Sequence, residues 1–407
     1  MKNRIVVVTE LYAPEQTSTA HYLSRIAEGL AASFAVEVFC AQPTYALRGT
    51  RAPRSEVLNG VMVTRCRSTV LDRSTVLFRL VNVLTMSVSF LLVGLRRIRR
   101  ASFVLVVTNP PVLPPLLAAV CLLKRSALVL LIHDMYPEVL SLSGLMSERN
   151  LLYRAFNLIS IWTLKKAARI VTLGRDMARR VGGKLGAEGD GKVVTITHWA
   201  DLDEITALDR PGNELLSRLG LEGKFVVQYS GNMGRTHDLG VIVRAALALV
   251  DVPDVHFLLI GSGAKKRWLE SEVEAGGLTN VTVLSPRERK DLAISLNACD
   301  LSLLTFVPGM TGVSVPSRMY NVMGAGKPIV AVADGDSELA LTVREGDIGW
   351  VVRAGDARGL VEAVLDARAD RERLASMGRR ARALAVDRFS RSAAMTRYLE
   401  FFRELAR

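Results

Sequence analysis

Short, largely β-branched apolar runs alternate with helix-length segments along the whole chain, and the alternation starts twice. The first series gives strands at Ile5–Thr9, Val36–Cys40, Val61–Cys66, Phe103–Thr108, Ala127–Ile132 and Ile170–Leu173, with helices at about Ala20–Ala32 and Leu151–Ala168. The second gives Phe225–Tyr229, a helix running through Leu249, then Val255–Ile260, Val281–Leu284, Leu301–Leu304, Pro328–Val332 and Gly349–Val352. Strands apolar on both faces and separated by helices call for a parallel sheet covered on both sides. The expected class is therefore α/β with two Rossmann-like lobes. A chain of 407 residues is also too long for one ordinary core. We expect a first domain over 1–200 and a second over 201–390. Residues 202–219 are read as the passage between them, and a last helix, 391–407, is expected to cross back to the first domain.

Charge divides the same way. Residues 1–200 carry 26 Lys/Arg against 12 Asp/Glu, and residues 201–407 carry 27 against 28. A one-sided basic excess points to an anionic partner of the first domain. Within it, Val76–Leu95 holds a single charge, Arg79, and runs into Arg96-Arg97-Ile98-Arg99-Arg100. Its length permits a transmembrane span, but strands on both sides have to join one sheet. An interfacial helix with its arginines on anionic headgroups is the preferred reading. A core helix and a span are the alternatives. Lys124-Arg125 and Lys165-Lys166 either extend this basic face or are ordinary solvated surface.

In open α/β sheets ligands gather at the carboxyl ends of strands. Ser230-Gly231-Asn232-Met233-Gly234-Arg235 follows a strand and precedes a helix, a setting where backbone N–H groups and a guanidinium suit a diphosphate; a plain turn explains the glycines equally well. Gly261-Ser262-Gly263, with Lys265 and Lys266 behind, repeats the arrangement one strand later. His133-Asp134 ends a first-domain strand, where a histidine donates a hydrogen bond, relays a proton or is simply structural. His256 is read as core or surface, and His198-Trp199 as shaping the hinge.

Other chemistries lack their residues. There is no DxD or HExxH, no GxSxG, no CxxC among the four cysteines and no nucleic-acid module. The first loop, Pro14-Glu15-Gln16-Thr17-Ser18-Thr19, is not a dinucleotide fingerprint. The opening residues run into a strand with no leader pattern, and the scattered cysteines fit a reducing, cytoplasmic setting.

In order and spacing, Tyr12-Ala-Pro-Glu15, Asn109-Pro-Pro111, His133-Asp-Met-Tyr-Pro-Glu138, Ile170-Val-Thr-Leu-Gly174, Ser230-Gly-Asn-Met-Gly-Arg235, Gly261-Ser-Gly263 and Val315-Pro-Ser-Arg-Met-Tyr-Asn321…Ala325-Gly-Lys-Pro328 together resemble glycosyltransferase family 4 over essentially the whole chain. The likeness is to its bacterial colanic-acid and O-antigen branch. The resemblance implies a GT-B fold with a cleft between its lobes, a nucleotide-sugar (a UDP-sugar) on the second lobe and a lipid-linked or oligosaccharide acceptor on the first. It also implies hexosyl or N-acetylhexosaminyl transfer with retention, without a metal or cofactor. The basic first domain and Val76–Leu95 are what favour a lipid-linked acceptor, with attachment to an anionic membrane surface through residues 76–100 on the inner face of the cytoplasmic membrane; no nucleic-acid partner is expected. The implied catalytic residues are His133, Asp134 and Glu338. The implied donor site is Gly231, Asn232, Gly234, Arg235, His237, Gly261, Gly263, Lys265, Ser317, Arg318, Tyr320 and Asn321. The acceptor side is Glu15, Thr17, Ser18, Thr19 and Asn109. Departures from the family are Val313 and Asn321 in place of its paired glutamates, Asn232 and His237 in place of a loop Arg and Lys, and Thr17-Ser18-Thr19 in place of a glycine loop. A nucleotide-sugar epimerase and an inactive, binding-only relative remain as alternatives.

Overall fold

A computed structural model describes residues 4–43, 50–71 and 75–407; the first three residues of the expected leaderless start lie outside them. The chain divides into two units, one of residues 1–137, 148–197 and 394–407, the other of 138–147 and 198–393.

The first unit holds strands β1 (Arg4–Val8), β2 (Ala35–Ala41), β3 (Ser55–Leu58), β4 (Val61–Cys66), β5 (Phe103–Val107), β6 (Ala127–Ile132), β7 (Arg169–Thr172) and β8 (Val193–Thr195). They form one sheet in the order β3-β4-β2-β1-β5-β6-β7-β8, parallel except for the β3–β4 hairpin. The sequence reading missed β3. Its signal is Asn59-Gly60, both at positive φ (50° and 80°), as a two-residue hairpin turn requires. Helices α1 (Ser18–Ala31), α2 (Val76–Arg97), α3 (Leu113–Lys124), the short α4 (Glu138–Leu142), α5 (Leu151–Lys166) and α6 (Arg175–Leu185) connect the strands. Thr17 caps α1 by accepting the Ala20 N–H, and Asn150 caps α5 by accepting that of Leu152. The crossovers through α2, α3, α5 and α6 all step the same way along the parallel sheet, so right-handedness places these helices on one face. α2 packs on α3, and α3 on α5.

The second unit contains α7 (Glu214–Leu219), β9 (Phe225–Asn232), α8 (Leu239–Ala248), β10 (Val255–Ser262), α9 (Lys266–Ala275), β11 (Val281–Leu284), α10 (Leu292–Asn297), β12 (Leu301–Thr305), α11 (Arg318–Gly324), β13 (Ile329–Val332), α12 (Glu338–Glu345), β14 (Gly349–Val352), α13 (Ala357–Ala369) and α14 (Arg371–Asp387). Its wholly parallel sheet runs β11-β10-β9-β12-β13-β14 around a core that includes Phe225, Val227, Phe257, Leu303 and Val330. A final helix, α15 (Arg391–Leu405), brings Phe402 against Phe34 and Phe103, each 6.1 Å away between ring centroids.

Two expectations need correcting. Residues 202–219 are not a bare passage. Leu215 and Leu216 of α7 are buried in the second unit's core, with Asn213 capping the helix through the Leu215 and Leu216 N–H groups. Residues 138–147, placed in 1–200 by sequence, group with the second unit.

The apolar helix α2 is also not a core helix. Only 17% of its apolar window is buried. Met86 and Phe90 face inward, while Leu77, Leu80 and Leu84 are more than 60% exposed. The strands it joins, β4 and β5, belong to one sheet, so α2 lies along that sheet as a crossover.

Candidate active site

The strand order of the second sheet reverses between β9 and β12, which makes their carboxyl ends the place for a ligand. The two glycine loops meet there by close contact. Met233 N–H donates to Ser262 O at 2.8 Å and Lys265 N–H to Met233 O at 2.9 Å. A Cβ on Gly261 would lie 1.9 Å from Gly231 O, and one on Gly263, at φ +151°, would lie 2.5 Å from the Met233 carbonyl. These glycines therefore let β9 and β10 nest, and two of the N–H groups expected to face a phosphate are spent on that contact. Asn232 is exposed at the strand end, its carbonyl accepting the Tyr229 hydroxyl at 2.6 Å. The N-terminus of α8 is also occupied: Asp238, which the sequence reading passed over, accepts the Val241 N–H at 3.0 Å. An Asp just before an apolar run is an N-cap signal.

The cations of this corner are side chains. Arg235 is exposed. Lys265 donates to His237 O at 2.7 Å, and burial and the nearby Arg235 pull its pKa down while Asp238 pulls it up. Arg318, at the start of α11, lies 4.2 Å over the Tyr229 ring and donates to Ser230 O at 3.3 Å. Among the described residues no carboxylate pairs with it. His237 stacks on Phe306 at 5.2 Å, and its Nδ1 is 3.0 Å from Thr305 O and 3.2 Å from Arg318 Nη2. Burial first, then Arg318, lower its pKa to about 3, so the imidazole is neutral near pH 7. At the position of the family's lysine it adds no charge of its own; the guanidinium beside it does.

Several named residues serve packing instead. Tyr320 has no exposed surface and packs on Phe389 at 5.0 Å, so it is a core side chain rather than a donor contact. Asn321 Oδ1 accepts the Asp201 N–H at 3.0 Å, which ties α11 to the 201 loop and takes up the oxygen expected to face a ribose. Val313 is fully buried. Ser317 stands just ahead of α11 and makes no capping bond. Glu338 opens α12, where a carboxylate suits the helix dipole, and its Oε1 accepts from Thr342 at 3.3 Å.

In the first unit, His133 and Asp134 follow β6. Thr108 at the end of β5 holds both: its Oγ1 accepts the His133 N–H at 3.1 Å and donates to Asp134 O at 3.0 Å. His133 is 9% exposed, and burial lowers its pKa to about 4. It is a neutral hydrogen-bonding ring near pH 7, not an imidazolium. Glu15 is buried, Ser18 exposed and Asn109 half-buried. The Thr17 hydroxyl is committed to capping α1. His256 is neutral too, with Nε2 2.8 Å from Thr282 Oγ1. The four cysteines are buried, which pushes their thiols up to about 12, so they are inert.

Two doubly wound units, one with a cationic corner at its topological switch point, define the GT-B class. The comparisons agree. The family model described as "Glycosyl transferase 4-like domain" matches residues 18–198, and "Glycosyl transferases group 1" matches residues 224–370. The chain is 34% identical over 263 residues to a Pseudomonas aeruginosa protein named probable glycosyltransferase WbjE, a match spanning 62% of this chain and 63% of that one. It is 26% identical over 353 residues to WcaI of Escherichia coli K12, named as a colanic acid biosynthesis glycosyl transferase, covering 83% of this chain and 84% of that one. Crystal structures of Anabaena HepE with UDP and glucose (TM-score 0.74, 16% identity, 99% of this chain and 100% of that one) and of WaaG, a glycosyltransferase involved in lipopolysaccharide biosynthesis (0.70, 14%, 97% and 98%), share the fold. The chain belongs to the family 4 glycosyltransferases.

Proposed function

We propose that this protein transfers a glycosyl unit from a nucleotide-sugar, a UDP-sugar, to a lipid-linked acceptor in cell-surface polysaccharide synthesis, with retention at the anomeric carbon. The observation that carries the reading is Arg318. A half-buried guanidinium without a carboxylate partner stands at the switch point, with Arg235 and Lys265 on the adjoining loops. A sugar nucleotide breaks its anomeric C–O bond to release a diphosphate, and fixed cations aimed at that leaving group stabilise the charge that develops on it. Arg318 donates two N–H bonds in one plane, a geometry suited to phosphate oxygens. His133 contributes hydrogen bonding as a neutral ring, and Glu338 a carboxylate on the donor unit.

The supplier of the acceptor is taken to be the inner face of the cytoplasmic membrane. The exposed apolar side of α2 and its basic end support this. One of the four arginines is unavailable, because Arg97 donates to Glu37 and Thr64 at 3.0 Å. Arg96, Arg99 and Arg100 are exposed.

The test is thermal unfolding of the purified protein across a panel of nucleotide-sugars, since a ligand that binds only the folded state raises the midpoint. UDP-sugars are expected to raise it and Arg318→Ala to abolish the rise. A panel in which no nucleotide-sugar shifts the wild type would overturn the reading.

A further inference from the structure

The first unit holds a small open pocket of about 40 Å³ beside Asp134. It is a gap in the helical layer between α3 and α5. Leu130 and Ile132 of β6 form its floor, Pro114 one wall, and Phe156 and Ile159 the other; its inner end reaches Asp134. Apart from Asp134 and Tyr136, the polar side chains that line it are hydroxyls bonded to the backbone. Ser160 Oγ donates to Tyr136 O at 2.8 Å, Thr163 Oγ1 to Ile159 O at 2.8 Å, and Thr108 Oγ1 to Asp134 O at 3.0 Å. With their hydrogens spent on backbone carbonyls, these groups present mainly carbon to the cavity, and a polar ligand would find few partners there.

The pocket also opens in an unusual surface. The face that carries it is the layer of α2, α3 and α5. Leu84 of α2, Leu123 of α3 and Leu158 of α5 are 64%, 74% and 68% exposed, and Ile159 on the pocket wall is 47% exposed. An apolar face of this extent on a soluble surface marks an interaction site. Because the three crossovers run parallel, the carboxyl ends of these helices share one edge. That edge carries Arg96, Arg99 and Arg100, then Lys124-Arg125, then Lys165-Lys166. Apolar faces rimmed with cations complement an anionic bilayer.

We propose that this pocket receives a segment of the hydrocarbon chain of the lipid-linked acceptor, drawn from the membrane through the gap between α3 and α5. The inference rests on the transferase reading above. It favours the acceptor over a bulk membrane lipid because the pocket is lined by Asp134, one of the residues the family resemblance assigns to catalysis. The chain anchors the acceptor by hydrocarbon burial alone, which makes affinity a function of chain length rather than of headgroup contacts.

The test uses the full-length protein and soluble isoprenoid monophosphates of five, ten and fifteen carbons, with affinity measured by calorimetry. Each methylene buried adds roughly four-fold in affinity, so the fifteen-carbon compound is expected to bind at least ten-fold tighter than the five-carbon one. Ile159→Trp, which fills the mouth from an exposed position, is expected to flatten that series. Leu158→Ser, exposed on the same helix, is expected to leave it intact. Affinity independent of chain length in the wild type, or a series unaltered by Ile159→Trp, would overturn the pocket. Sugar transfer that runs equally well on acceptors with five- and fifteen-carbon tails would overturn it as well, while leaving the transferase reading in place. Chain-dependent binding with no transfer to any acceptor would overturn the transferase reading and leave a hydrocarbon site. A single-chain lysophospholipid that binds as tightly without inhibiting transfer would overturn the assignment to the acceptor.

Discussion

Replacing Arg318 by alanine is the most informative single change to the donor site. In the free protein this side chain rests on the Tyr229 ring, the Ser230 carbonyl and His237 Nδ1. It has no ion pair to lose, so the fold gives up a cation–π contact of about 0.5–1 kcal/mol and two long hydrogen bonds, to the Ser230 carbonyl and His237 Nδ1. A bound diphosphate is different. Hydrogen bonds to charged groups contribute about 1.5–3 kcal/mol each, and two from one guanidinium to phosphate oxygens, in a half-open site, come to roughly 2–3 kcal/mol net. That is about a 30- to 150-fold rise in Kd for UDP. Calorimetric titration with UDP, beside urea unfolding of the same variant, separates the two effects. Arg318→Lys keeps the charge and loses the planar fork, so its Kd is expected between those of wild type and alanine variant. An Arg318→Ala protein that unfolds within about 1 kcal/mol of wild type and binds UDP within two-fold of it would refute the reasoning.

Other consequences follow from the same structure. His133, His237 and His256 have pKa values lowered by burial to about 4, 3 and 4. Their neutral forms favour the folded state, so that contribution is complete above the unfolded value near 6.5 and falls as pH drops toward 4, by at most about 1.4 kcal/mol per pH unit per ring. His256→Gln, which can keep the Thr282 hydrogen bond, is expected to shrink the stability difference between pH 7 and pH 5; an unchanged difference in urea midpoints contradicts the assignment. Gly261→Ala forces a Cβ onto Gly231 O and is expected to lower Tm and weaken UDP binding together. A variant of wild-type Tm and affinity would show that the loops do not nest. Leu80→Ser with Leu84→Ser, both on the exposed side of α2, is expected to release the protein from anionic liposomes without altering its unfolding. Arg99→Gln with Arg100→Gln is expected to weaken flotation by about 1 kcal/mol per charge and to reduce its salt dependence; flotation unmoved by either pair removes the interfacial role.

How far the sequence could be read depended on the range of the interaction involved. Strand period and length placed Val61–Cys66, Ala127–Ile132, Val281–Leu284 and Gly349–Val352 with the bounds the structure gives, because short runs rich in β-branched and apolar residues between helix-length segments favour strands. The family motifs likewise placed Arg235, Lys265 and Arg318 in one unit. The uses of individual polar atoms could not be read. Thr17 and Asp238 spend their oxygens on helix caps, and Asn321 accepts an N–H from Asp201, far away in sequence. Tyr320 falls inside the core because α11 turns it toward Phe389. A glycine pair such as Gly261 and Gly263 reads as a phosphate loop or as strand nesting with equal ease, and only the distance to Gly231 O separates the two. The apolar run of α2 fits a core helix, a span and an interfacial helix by sequence; its bare outer side removes the core reading.

The central claim is transfer of a sugar from a nucleotide to a lipid-linked acceptor. It is tested most directly by mass spectrometry of the acceptor after incubation with the full-length protein and the UDP-sugars that stabilise it. The account predicts that the acceptor gains the mass of one glycosyl residue and UDP appears in equal amount, both lost with Arg318→Ala. A nucleotide-sugar that binds and is epimerised without any acceptor, or that binds and is returned unaltered with every acceptor tried, would contradict it.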